Sequence, residues 1–124
     1  MPWVAVALRH RLREQGPITT QAYGDLVWQP EQEQVLRLGE PLHLTPMEYR
    51  LFHFMASSPG RVLTHGTLLR EVWGHSSLEQ AQSVRVTVAA LRRKLQENES
   101  GIRYIGTEIG TGYRFLAPKP SDHG

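Results

Sequence analysis

Apolar and polar positions first alternate with a period of two and then switch to a helical period. Leu26-Val27-Trp28, Val35-Leu36-Arg37-Leu38 and Pro41-Leu42-His43-Leu44 read as strands of an antiparallel sheet of at least three strands. Gln29-Pro30-Glu31-Gln32-Glu33 and Gly39-Glu40 part them as turns. Thr45-Pro46-Met47-Glu48 then opens a helix: Thr45 caps it, Pro46 suits the first helical position, and Glu48 completes a capping box. Its apolar stripe is Met47, Leu51, Phe54 and Met55, widened by Phe52, and Ser57-Ser58-Pro59-Gly60 stops it. Arg61-Val62-Leu63 is a short extended link. Thr64 caps a second helix with Leu68, Leu69, Val72 and Trp73 inward, and Gly74 ends it.

Ser77-Leu78-Glu79-Gln80 is a second capping-box pattern and predicts a long helix to about Glu97. On a helical wheel over residues 80–96, Val84, Val88, Leu91 and Leu95 form a buried seam within about 60° of one another. The opposite side shows Gln82, Val86, Ala89 and Arg93. Arg85 and Arg92 flank it on one edge, and Ser83, Thr87 and Lys94 lie on the other half. Ile102 to Glu108 and Gly112 to Leu116 read as a hairpin with Ile109-Gly110-Thr111 at its tip, Gly110 and Gly112 permitting a tight turn. Phe115 is expected in the core and Tyr113 on the outward face. At the front, residues 3–15 predict a short helix with Val4, Leu8 and Leu12 on one face, ended by Gly16 and Pro17.

The resulting order is sheet, helix, helix, helix, hairpin: an α+β chain in which a helix-turn-helix is followed by a wing. The expected organisation is a helical remnant of a preceding domain at 1–15, a linker at 16–23, the winged-helix domain at 24–117 and a flexible tail at 118–124.

Composition changes this picture little. The 124 residues suffice for one modest core. Fourteen Lys and Arg against twelve Asp and Glu leave a net charge of only +2, so the placement of charge, not its total, must speak for a nucleic-acid partner. The absence of cysteine excludes disulfides and thiolate metal sites and fits a reducing cytoplasm. No apolar run approaches the roughly 18 residues needed to span a membrane.

The helix of residues 80–96 carries the candidate chemistry. Small side chains on its exposed side let it sit deep in a major groove, and arginines there reach guanine edges or phosphates. The helix alone is equally compatible with a solvated basic face. The wing offers the hydroxyls of Thr107, Thr111 and Tyr113 to phosphates, with Tyr113 alternatively a half-buried strand aromatic.

Six segments in order resemble the effector domain of OmpR/PhoB-type two-component response regulators. They are Leu44-Thr45-Pro46-Met47-Glu48-Tyr49, Gly60-Arg61-Val62-Leu63-Thr64, Leu68-Leu69-Arg70-Glu71-Val72-Trp73-Gly74, Val84-Arg85-Val86, Leu91-Arg92-Arg93-Lys94-Leu95 and Gly110-Thr111-Gly112-Tyr113-Arg114-Phe115. The resemblance spans about residues 24–117. Thr45-Pro46 and the spacing through the third helix resemble the branch that controls potassium uptake.

The resemblance implies a four-stranded N-terminal sheet, three helices, a C-terminal hairpin and sequence-specific binding of double-stranded promoter DNA. Trp73, Thr107 and Tyr113 match phosphate-contacting positions, and Arg85 and Arg92 match positions that reach bases or backbone. Gly74, His75, Ser76, Ser77 and Leu78 match a loop that touches RNA polymerase. It also implies a receiver domain and a sensor histidine kinase as partners, dimerisation on DNA with a monomeric isolated domain, and a cytoplasmic protein without a cofactor. Residues 3–15 resemble the last helix of a receiver domain. There are departures. The wing-tip position that holds arginine in some members is Ile109, and a central arginine pair of some members is Ala89-Ala90. Base readout is therefore expected to rest on Arg85, Thr87 and Arg92.

Other chemistry finds little support. No pair among His10, His43, His53, His65, His75 and His123 has zinc-ligand spacing with a carboxylate partner. Gly110-Thr111-Gly112 lacks the strand-turn-helix setting of a phosphate loop, and Glu31, Glu33 and Glu40 read as solvating charges in turns, not as an enzyme's acid and base. The competing reading is a winged-helix module that binds another protein.

Overall fold

The computed structural model describes residues 20–74 and 81–120. The helix expected at 3–15 therefore lies outside the described residues, as do His10, His75 and His123. Four strands, β1 (Gln21–Tyr23), β2 (Leu26–Gln29), β3 (Gln34–Arg37) and β4 (Glu40–Pro41), pair antiparallel in chain order. Trp28 stands opposite Val35, and these two with Leu26 turn the sheet's buried face to the interior.

Two boundaries differ from expectation. Strand β1 occupies the stretch expected as linker, because three residues of mixed polarity carry no periodic signal and become a strand only by pairing with β2. Strand β3 stops at Arg37, where Leu38, at φ 50° and 56% exposed, enters the turn, and β4 is correspondingly short. At the other end Lys119, expected in the free tail, accepts a hydrogen bond from Gly24 N at 3.0 Å.

Helix α1 (Pro46–Ala56) begins on the capping box that the sequence predicts. Thr45 Oγ1 accepts from Glu48 N at 3.1 Å, and Glu48 Oε1 accepts from Thr45 N at 2.9 Å. Leu51, Phe52 and Met55 are buried, while Met47 and Phe54 pack at the margin. Phe52 takes the central place because α1 is packed from two sides. Its ring meets Trp28 of the sheet at 5.6 Å and Phe115 of the wing at 5.5 Å, both edge to face.

Helix α2 (His65–Leu68) is capped by Thr64 Oγ1 accepting from Thr67 N at 3.1 Å, and it runs directly into a π-helical turn, Leu69–Trp73. Gly74, at φ 87°, ends it as the sequence predicts. Leu68, Leu69 and Val72 are fully buried; Trp73 is only partly so.

Helix α3 (Ala81–Lys94) buries Val84, Val88 and Leu91, continued by Leu95, as the wheel predicts. It ends sooner than expected. Gln96 turns into the left-handed region at φ 57°, and a separate turn, α4 (Glu97–Ser100), follows. The break carries the Glu97 carboxylate inward, where Oε2 accepts from both Tyr104 N and Ile105 N at 2.9 Å.

The hairpin of β6 (Ile105–Glu108) and β7 (Gly112–Phe115) forms the wing. The segment expected as a plain link contributes β5 (Leu63–Thr64), which pairs with β7 and completes a three-stranded sheet in the order β5-β7-β6. Only Gly110, at φ 78°, serves the hairpin turn. Gly112 is needed for a different reason: a Cβ there would run into the Leu63 carbonyl of β5.

Candidate nucleic-acid interface

Packing of the Val84, Val88, Leu91 and Leu95 seam fixes which side of α3 faces out. Gln82, Arg85, Val86, Ala89 and Arg93 are exposed, and Ser83 and Thr87 lie half-buried beside them. Val86 keeps 57% of its surface in solvent.

The cations of α3 divide into two classes. The side chains of Arg85 and Arg93 make no ion pair or hydrogen bond with the described residues. Lys94 and Arg92 are both engaged. Lys94 Nζ donates to His43 O at 2.8 Å and to Glu48 Oε1 at 2.7 Å. Burial pushes the Glu48 carboxyl up, but the Lys94 ammonium and the Thr45 backbone and side-chain bonds outweigh it and leave the group below its ordinary value. Arg92 Nη2 donates to Ile105 O at 2.8 Å and to Thr107 Oγ1 at 2.7 Å, with its guanidinium 5.7 Å from the Tyr113 ring centre.

The wing projects beside this face. Thr111 N donates to Glu108 O at 2.9 Å and closes the tip, leaving Ile109 at 94% exposure. Thr107 and Thr111 are exposed; Thr107 accepts from Arg92, and its own O–H remains able to donate. Arg114 is paired with Glu108 at 3.0 Å and so is not a free cation of the wing.

The expected outward placement of Tyr113 is corrected. Residues two apart on a strand share a face, so Tyr113 lies on the buried side with Phe115, at 7% and 0% exposure, and Arg114 takes the outer side. Its ring packs against His65 at 5.4 Å. Trp73 is half-buried at the end of the helix before the loop, and Gly74 is exposed. His75, Ser76, Ser77 and Leu78 lie outside the described residues.

Sequence reasoning did not single out Glu97 or Lys94. Both are charged residues at a helix end, a setting that by itself signals solvent. What makes them buried or bonded is the arrival of β6 and of the α1 cap, which no local pattern reports.

This arrangement matches known proteins closely enough to decide the family. The family model described as transcriptional regulatory protein, C terminal, matches residues 39–115. The chain belongs to this family. The KDP operon transcriptional regulatory protein KdpE of Escherichia coli is 34% identical over 111 residues, which is 90% of this chain and 49% of that protein. Transcriptional regulatory protein KdpE of Mycobacterium tuberculosis is 39% identical over 85 residues, 68% of this chain and 38% of that protein. The chain thus spans half or less of the curated relatives it matches. The DNA-binding domain of RstA from Klebsiella pneumoniae, solved in complex with the RstA box, superposes with a TM-score of 0.72 at 27% identity, covering 81% of this chain and 99% of that one. As a transcriptional regulatory protein C-terminal domain, the chain has the winged-helix architecture and response-regulator effector type that its six motifs implied.

Proposed function

We propose that this domain binds promoter DNA in a sequence-specific way, with α3 in the major groove and the β6–β7 wing on the adjacent backbone or minor groove. The observation that carries the reading is the division of the α3 cations. Arg85 and Arg93 project from a face of Gln82, Val86 and Ala89 with side chains unpaired among the described residues, while the remaining charged groups of that helix are bonded within the fold. A helix that presents forked donors among small side chains suits a groove about 12 Å wide. Gln82, Ser83, Arg85, Val86, Thr87, Ala89 and Arg93 supply the readout; Trp73, Thr107, Ile109 and Thr111 supply contacts to backbone and minor groove. Tyr113 stiffens the wing from beneath.

The likeness to KdpE proteins supports control of potassium-transport genes. A receiver domain, a sensor kinase and RNA polymerase, the last through the loop that starts at Gly74, are the partners this assignment brings with it. The protein works in the cytoplasm, as a dimer on direct half-sites, and the isolated domain is a monomer.

Selection of bound sequences from random duplex DNA tests the proposal and yields the half-site with its spacing. Affinity measured on a selected site should fall linearly in log K against log[salt]. A domain that enriches no sequence and forms only salt-independent protein complexes would instead be a protein-interaction module.

A further inference from the structure

We propose that Arg92 is a positioning residue that braces the wing to α3, and that it does not read a base. The guanidinium is enclosed on several sides. Nη2 donates to Ile105 O at 2.8 Å and Thr107 Oγ1 at 2.7 Å, so one nitrogen holds successive outward points of β6. The guanidinium carbon sits 5.7 Å from the Tyr113 ring centre on β7, and the buried Nε faces Glu97 Oε1 at 3.8 Å. Only 27% of the side chain is exposed.

Glu97 extends the brace. Its other oxygen accepts the N–H groups of Tyr104 and Ile105, the residues from which β6 starts. One carboxylate and one guanidinium therefore tie the end of the recognition helix to both strands of the hairpin. The fold has no other polar tie at that place among the described residues, apart from the largely exposed Arg103 at 3.4 Å from Glu97 Oε1.

Reaching a guanine edge would break both Nη2 bonds, leave the Ile105 carbonyl without its arginine donor and draw the guanidinium away from the Glu97 carboxylate. The new contact would replace two charge-assisted bonds with two of the same kind, so the exchange brings no net gain. Arg93, the next residue, is exposed, its side chain is unpaired among the described residues, and no such exchange is needed for it.

The consequence is coupling. The brace sets the distance between groove reader and wing, so wing contacts should count only when Arg92 is in place. This consequence rests on the DNA-binding reading, whereas the brace itself is tested without DNA. In free protein, amide exchange at Gly106 and Arg114, which face one another across the β6–β7 ladder, and at Glu108, which faces Gly112, should rise about tenfold in Arg92→Gln, with Val84 and Val88 unchanged. Arg92→Lys, which keeps a donor and a charge, should restore most of the protection. On a selected DNA site, Thr111→Ala should weaken the wild type by about fivefold and the Arg92→Gln protein by less than twofold. Base preferences should be the same with and without the substitution. Thr107→Val, which removes the hydroxyl that accepts from Arg92, should loosen the wing in the same exchange measurement if Arg92→Gln fails to fold. Unchanged wing exchange in either variant, or relaxed preference at one base pair with additive wing effects, would overturn the proposal. If the wild type binds no DNA but the wing loosens as described, the brace stands and the DNA reading falls.

Discussion

Lys94, at the last turn of α3, reaches Glu48 at the first turn of α1, with Nζ 2.7 Å from Oε1. The same carboxylate oxygen accepts the Thr45 N–H of the helix cap. One group thus serves a local capping box and a long-range tie between two helices. Glu48 is 6% exposed, so its charge is stabilised by these donors more than by water.

Glu48→Gln should destabilise the domain by about 1–3 kcal/mol at neutral pH, measured by urea unfolding. The acid dependence has a definite sign. The folded carboxyl lies below its ordinary value, so its contribution is present above the unfolded-state value and is lost as pH falls through the folded one. The gap between wild type and variant should therefore narrow on acidification through the carboxylate range. A gap that held constant would mean that the charge on Glu48 is irrelevant.

Gly112→Ala should cost about 3 kcal/mol or more, because a Cβ meets the backbone of Leu63, which cannot move aside like a side chain. Gly110→Ala, at φ 78° in open space, should cost only about 1 kcal/mol. Thermal melts of the two variants check the order. The reverse order would place the demand at the turn instead of at the β5–β7 crossing.

Arg85→Ala should weaken binding to a selected site by about 1–3 kcal/mol and do so unequally across sequences, as loss of a base contact does. Anisotropy titrations on a panel of single-base variants provide the measurement. An equal loss on every sequence would assign Arg85 to phosphate.

Ile109→Arg should leave stability unchanged, since the side chain is 94% exposed, and should raise DNA affinity. The salt slope should steepen by about one unit as one more phosphate is neutralised. An unchanged slope would show that the wing tip does not approach the duplex.

Much of the fold was legible because its signals are local. The Thr45–Glu48 box, the stop at Gly74 and the Val84, Val88, Leu91 and Leu95 seam each depend on neighbours within a turn or on one helical period, and each appears as read. β1 and β5 were not legible as strands, since two or three residues become a strand only when a partner pairs with them. The inward side of Tyr113 follows from strand geometry together with Phe115, whose burial on α1 places both on the same face.

The sequence by itself determined the order of elements, the winged-helix class and the exposed face of α3, because capping, turn chemistry and periodicity act between near neighbours. Only the tertiary structure decided which arginines of that face are available. Arg92 and Arg93 are adjacent and chemically identical, and nothing local tells them apart. Packing of the hairpin against the end of α3 brings Ile105, Thr107 and Tyr113 to Arg92 and leaves Arg93 to solvent. Long-range contact, which no local pattern encodes, separates the arginine that holds the wing from the one that faces out.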